Sequence, residues 1–260
     1  MESCGYYKIF FHKKYLFSIK NMHHTTYYGT KTDYTSPRTE IIVATIVGNR
    51  SHLRVVHNVA NGPKVDGYLD GNKVLKSVSY KAISDYLEVS SGVHLLTVKV
   101  AGTDKAIING KFDLLPGKSY TLIVHGLIKD LKSIAPLLLD DNLGCPASGK
   151  AHVRFIHAAA GTSSVDILVS RNNSNMTRIF TDVSYGHTGS PTYFPVDAGL
   201  VEVSVNPYNS KEKLLGPIFL RLVDGGIYTI IASGFYGDLD SPLTALVSED
   251  SKGSCIITQY

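Results

Sequence analysis

The chain repeats itself, and this limits its fold more than any other feature does. Ser51-His52-Leu53-Arg54-Val55-Val56-His57 returns a hundred residues later as Ala151-His152-Val153-Arg154-Phe155-Ile156-His157. Val65-Asp66 returns as Val165-Asp166, Val78-Ser79-Tyr80 as Val183-Ser184-Tyr185, and Tyr86-Leu87 as Tyr193-Phe194. Gly92 matches Gly199, Tyr120-Thr121-Leu122-Ile123 matches Tyr228-Thr229-Ile230-Ile231, Gly126 matches Gly234, and Pro136-Leu137 is read against Pro242-Leu243. The offset grows from 100 to about 108, as a few loop insertions would make it. A period of this size is one domain rather than one turn of a solenoid. Two copies of one fold are therefore expected.

Within each copy the pattern is short strands. His52–Asn58 and Val65–Asp70 alternate apolar and polar residues, and Asp70-Gly71-Asn72 is a hairpin turn signal because Asp-Gly accepts positive φ. Lys73–Tyr80, Ser84–Val89, Val93–Val100, Ala106–Leu114, Ser119–Leu127 and Pro136–Leu139 follow, with Ser90-Ser91-Gly92 and Pro116-Gly117 as turns and Gly225-Gly226 replacing the latter in the second copy. Strands at this spacing define an all-β chain of two tandem antiparallel β-sandwiches. The one helical candidate is Lys129–Ile134. The expected organisation is an N-terminal arm over 1–50 with a β-strand at 40–47, a first sandwich over 51–142 and a Gly/Pro/Ser-rich linker over 143–149. A second sandwich over 150–248 and a tail over 249–260 complete it. The apolar strand 40–47 is read as an addition to the first sandwich or to a neighbouring molecule.

Charge narrows the partners. Residues 1–50 hold seven Lys/Arg against three acids, whereas the remainder carries 19 of each sign. A neutral body gives no bulk attraction for nucleic acid or acidic lipid. The arm, with His23-His24 and Tyr6, Tyr7, Tyr15, Tyr27, Tyr28 and Tyr34, reads as a segment that orders on a partner subunit. No apolar run reaches the ~20 residues of a membrane span. Ile9-Phe10-Phe11 is cut by His12-Lys13-Lys14, so no clear secretion signal is expected. Cys4, Cys145 and Cys255 are too few for a disulfide scaffold; Cys145 and Cys255 either bridge each other or stay free.

Six repeated polar residues are the candidates for chemistry. His57 with Asp66, and His157 with Asp166, suit a metal site or an acid–base pair. No third ligand recurs in both copies, so a semi-buried histidine bonded to a neighbouring loop is the favoured reading. Arg54 with Asp66, and Arg154 with Asp166, are expected as structural cross-strand ion pairs, with ligand binding as the alternative. Gly117-Lys118-Ser119 lacks the upstream glycine of a phosphate loop, and Asp238-Leu239-Asp240-Ser241 reads as a solvated turn before it reads as a calcium loop. Sequons for N-glycosylation stand at Asn49-Arg50-Ser51, Asn172-Asn173-Ser174 and Asn175-Met176-Thr177. No cofactor is expected.

The repeated pattern resembles the domain-of-unknown-function family numbered 4397. The resemblance rests on Arg54-Val55-Val56-His57, Val65-Asp66 through Asp70-Gly71, Ser84-Asp85-Tyr86, Gly92 and Tyr120-Thr121. In the second copy it rests on Arg154-Phe155-Ile156-His157, Val165-Asp166, Tyr193, Gly199 and Tyr228-Thr229, so it covers about residues 51–248 as two tandem copies. It implies immunoglobulin- or transthyretin-like sandwiches on secreted or cell-surface proteins, with no catalytic activity attached. The chain departs from the family in lacking a clear secretion signal. It departs again in the loop after the histidine, partly echoed by Asn61-Gly62-Pro63 and lost in Ala158-Ala159-Ala160-Gly161. The expectation is a non-enzymatic surface or structural protein that binds protein or glycan, or self-assembles through its arm and strand edges. It would sit outside the cell, on the cell surface, or on an assembled particle such as a virion. The alternative is a hydrolase or metal-dependent enzyme using His57 or His157.

Overall fold

The computed structural model describes residues 49–141, 144–171, 175–190 and 192–251. The arm with its expected strand at 40–47, and the last nine residues, lie outside them. The chain is all-β. Its first half contains β1 (Arg50–Ala60), β2 (Val65–Leu69), β3 (Asn72–Val78), β4 (Leu87–Ser90), β5 (Gly92–Val100), β6 (Ala106–Leu114), β7 (Ser119–Leu127) and β8 (Asp130–Asp140). They form two sheets, β4-β1-β7-β8 and β3-β2-β5-β6. The second half contains β9 (Lys150–His157), β10 (Val165–Arg171), β11 (Thr177–Val183), β12 (His187–Thr188), β13 (Phe194–Asp197), β14 (Gly199–Pro207), β15 (Leu215–Leu222), β16 (Ile227–Ser233) and β17 (Thr244–Ser251). Its sheets repeat the order: β12-β9-β16-β17, with β13 also on β9, and β11-β10-β14-β15.

Most pairs are antiparallel, but β1 runs parallel to β7 and β9 to β16. A parallel neighbour cannot be joined by a hairpin, and here the four strands of the opposite sheet and the edge strand beside β1 or β9 are all built between the two parallel partners. Alternation then assigns the faces. On β7, Tyr120, Leu122 and Val124 enter the core of the first sandwich. Ile123, pointing the other way, joins Val56, Ile156, Ala158 and Ile231 in a third apolar cluster. That cluster lies where the β1–β7 sheet of one sandwich packs face to face on the β9–β16 sheet of the other. Both faces of β7 and β16 are therefore covered, which is why their sequences read as nearly unbroken apolar runs.

The turns follow their residues. Leu69 pairs with Asn72, leaving Asp70 and Gly71 as a two-residue hairpin loop, and both have the positive φ (+50° and +82°) of a type I′ turn. Two expectations are corrected. The helical candidate Lys129–Ile134 is mostly strand, at the start of β8. Six residues cannot offset helix nucleation. The Ser133 hydroxyl instead donates to the Asp130 carbonyl (2.7 Å) and accepts the Leu127 amide (3.0 Å), closing the β7–β8 hairpin. The match of Pro136-Leu137 to Pro242-Leu243 is displaced: Ile123 opposes Leu137 and its equivalent Ile231 opposes Leu246. The loop between β16 and β17 is the longer one, and the two prolines are not equivalent.

Candidate functional site

Arg54 and Arg154 lie on the outer faces of β1 and β9, where the two sandwiches meet, and not opposite Asp66 and Asp166. Each reaches across the interface. Arg54 Nη1 lies 2.6 Å from Asp250 Oδ1 on β17, while its Nε and Nη2 donate to Thr121 Oγ1 at 3.2 and 2.8 Å. Arg154 Nη2 lies 2.6 Å from Asp141 Oδ1, just past β8, while its Nε and Nη2 donate to Thr229 Oγ1 at 3.1 and 3.0 Å. Each threonine in turn donates to a carboxylate, Thr121 to Asp141 (2.7 Å) and Thr229 to Asp250 (2.6 Å). Tyr86 and Tyr193 cover the guanidinium carbons at 4.9 and 4.8 Å. The Arg154, Asp141 and Asp250 side chains are fully buried and Arg54 nearly so. This is a pseudo-symmetric exchange in which each arginine is neutralised by the other half's acid. Burial disfavours the Arg54 charge, but the Asp250 carboxylate outweighs it and raises the pKa. Burial, then Asp141, pushes the Tyr86 phenol well above its usual range.

Asp66 and Asp166 hold backbone. Asp66 takes the Ser77 amide at 2.8 Å and Lys73 Nζ at 2.7 Å. Asp166 takes the Asp182 amide at 3.0 Å, the Asn209 amide at 3.0 Å and the Thr181 hydroxyl at 2.9 Å, with Arg178 at 3.2 Å. Ser77 and Asp182 are equivalent positions at positive φ (+54° and +52°), in the irregular β2–β3 and β10–β11 pairings. The repeated Val-Asp thus pins a strained bulge.

His57 and His157 are buried and tie down loops. His57 Nε2 donates to the Pro63 carbonyl at 2.9 Å, and His157 Nε2 to the Ser163 carbonyl at 3.0 Å. Tyr80 and Tyr185 meet them edge-on at 6.2 and 5.9 Å. Burial lowers both pKa values, so the rings are neutral near pH 7. Neither ring is paired with Asp66 or Asp166. Asp238 accepts the amides of Asp240 and Ser241 at 2.9 and 2.8 Å and Asn61 Nδ2 at 3.1 Å, so it caps a turn. No cluster of three metal-ligating side chains occurs among the described residues. Cys145 is disulfide-bonded, and Cys255, the partner in the bridge weighed above, lies outside the described residues.

Sequence reasoning missed Asp141 and Asp250, which fall at the very end of the first sandwich and in the segment read as a tail. A signal existed: each follows its partner threonine by about the same distance, 20 and 21 residues. Two hollows were also missed. A wholly apolar cavity of about 30 Å³ lies inside the first sandwich beside Val55, Gly67 and Leu75. A mixed cleft of about 240 Å³ opens at one end of the second, beside Lys150, Arg171, Phe194 and Asp197.

Fold and seam together define an all-β protein of two β-sandwiches packed face to face. Residues 51–168 match the family described as "Domain of unknown function (DUF4397)". The match spans the first sandwich, β9 and the start of β10. No curated protein matches the sequence. Among solved structures, the chain is similar to the C-terminal domain of AlgF from P. aeruginosa, at 16% identity and TM-score 0.28 over 39% of this chain and 98% of that one. It is similar to the family-26 carbohydrate-binding module of Amy13K from Eubacterium rectale, at 12% identity and TM-score 0.24 over 77% and 98%. A putative cell adhesion protein from Bacteroides uniformis gives 7% and 0.23 over 76% and 98%. Likenesses this distant bear on neither activity nor partner.

Proposed function

We propose that the chain is a non-catalytic binding module, in which the seam makes two sandwiches one rigid body that presents its loops and sheet edges to a protein or glycan. One observation carries this reading. The six repeated residues that suggest chemistry are each tied into the fold: Arg54 and Arg154 across the interface, Asp66 and Asp166 on bulge amides, His57 and His157 on loop carbonyls. A hydrolase needs a base that substrate and water can reach, whereas His57 and His157 are both buried, His57 beside the small enclosed cavity of the first sandwich. The same rigid body would serve as a component of a surface layer or an assembled particle. The disulfide at Cys145 fits an oxidising location outside the cytosol.

The test pairs a glycan array of the full chain with chromogenic ester, glycoside and phosphoester substrates. Binding without turnover is expected. Turnover that His57→Gln or His157→Gln abolishes would overturn the reading in favour of a hydrolase. Assembly through the arm is checked by light scattering on the full chain and on a chain beginning at Arg50; an oligomer formed equally by both would remove the arm from assembly.

A further inference from the structure

The four sheets are stacked. The β4-β1-β7-β8 and β12-β9-β16-β17 sheets meet at the seam, so the β3-β2-β5-β6 and β11-β10-β14-β15 sheets are the outermost layers, on opposite sides of the molecule. Each outer sheet turns one face to its own core and the other outward. On β5 the inward side chains are His94, Leu96 and Val98, and on β14 their equivalents Val201, Val203 and Val205. The equivalence follows from register, because Gly92 opposes Leu114 as Gly199 opposes Leu222. Alternation then turns Val93 and Leu95 outward on β5, and Leu200 on β14.

Both outward faces are apolar at the same place. The first exposes Val93, Leu95 and Leu115, the second Leu200, Phe219 and Val223, with Val93 at 66% and Phe219 at 63% of full exposure. Single exposed apolar residues need no account, but a patch of three that recurs on both copies marks a contact surface. The charges beside the two patches differ in sign. Asp113 on β6 opposes Val93, and its equivalent Arg221 on β15 opposes Leu200. Both are exposed and enter no ion pair among the described residues. Two residues before each, Lys111 in the first sandwich stands where the second has the Phe219 ring. Glu202, opposite Phe219, is already neutralised by Lys213 at 3.0 Å.

We propose that the outward face of the first sandwich binds the outward face of the second sandwich of another copy of this chain. With β6 of one copy laid along β15 of the other, equivalent residues meet. Asp113 pairs with Arg221, Leu115 packs on Val223, and Lys111 lies over the Phe219 ring, with Val93 and Leu200 on the flanks. Like faces set together would oppose Asp113 to Asp113 or Arg221 to Arg221, so the first face selects the second. Because the two faces lie on opposite sides of the molecule, the contact repeats without closing and builds a line of copies. The inference rests on the rigid two-sandwich body of the binding-module reading and names the chain itself as a partner.

The experiment is light scattering and sedimentation velocity on the full chain over a concentration series. Mass should rise with concentration past the dimer and reach no closed end point. Phe219→Lys, which gives the second sandwich the residue that the first carries there, should raise the dissociation constant about tenfold or more at unchanged melting temperature. Arg221→Asp should weaken association by about as much, and adding Asp113→Arg to it should restore most of the loss. Where a charge reversal does not fold, Phe219→Lys alone decides. A chain that is monomeric throughout, a dimer that grows no further, association that survives Phe219→Lys, or a folded double swap that restores nothing each overturns the proposal. A monomeric chain that still binds on the glycan array would remove this contact while leaving the binding module standing.

Discussion

The two sandwiches share strand order, parallel pair, pinned bulge and buried histidine, yet their cores are filled differently. Where the second has Phe155, Ile167 and Phe180, the first has Val55, Gly67 and Leu75, and the cavity of about 30 Å³ lies among those smaller residues. Phe180 fits so closely that a Cβ at Gly189 would sit 2.2 Å from its ring. At the far end the order is reversed: the first sandwich is plugged by His94 and the second is open. Topology therefore tolerates either filling, as cores do when pattern and total volume are roughly kept. What is not free to vary is the face each sandwich turns to the other. There, Arg54 and Arg154, Thr121 and Thr229, and Tyr86 and Tyr193 recur in both.

The largest effect is expected from breaking that shared face. Arg154→Leu leaves the Asp141 carboxylate buried without its cation and should cost about 3–5 kcal/mol, read by chemical denaturation. It should also split one unfolding transition into two, the less densely packed first sandwich melting first. A single transition with unchanged midpoint would show that the seam couples nothing. A double-mutant cycle of Arg154→Leu with Asp141→Asn should return part of the loss, because the uncompensated charge is removed as well.

Exchanging core residues between the copies comes next. Phe155→Val, which gives the second sandwich the residue of the first, should cost about 2–4 kcal/mol, near the range for large-to-small core changes. Val55→Ile, one methyl into a cavity of about 30 Å³, should gain about 0.5–1 kcal/mol. If Val55→Ile destabilises by as much, the first sandwich is already closely packed and the contrast drawn above fails.

How much of this the sequence discloses depends on the range of each interaction. Alternation and Asp-Gly turns are local, so the strands and the tandem sandwiches are legible from Val65–Asp70, Asp70-Gly71 and their neighbours. Burial of β7 on two faces is legible too, as the run Tyr120 to Leu127, but what covers the second face is not. Arg54 looks like a cross-strand partner for Asp66 because both recur at one spacing. Pairing across a domain interface joins residues 196 apart, and no local pattern reports it. The cleft is harder still, since it is made by what Val201 lacks relative to His94.

The smallest effect concerns acid, and it too separates the halves. Burial lowers the pKa of His57 and His125 in the first sandwich and of His152 and His157 in the second. Such a group stays neutral in the fold while the unfolded chain takes up a proton near pH 6.5. Its contribution is complete above about pH 6.5 and is lost as pH falls toward the lower native value, at no more than about 1.4 kcal/mol per pH unit for each proton. His94 has the opposite sign. Burial works against its charge, but the Asp70 carboxylate and the Ser90 carbonyl raise its pKa overall. Its stabilisation is present below the unfolded value and fades as pH rises through the native one. The first sandwich therefore offsets its own acid loss, and the second has no such residue among its lowered histidines. Denaturation of the full chain between pH 5 and 8, followed by Tyr-to-Phe reporters in each half, should show the second sandwich weakening more steeply on acidification. His94→Gln should make the first sandwich equally steep. If the slope of the first half is unchanged by His94→Gln, the plug is a packing element without a charge, and the two ends differ in shape alone.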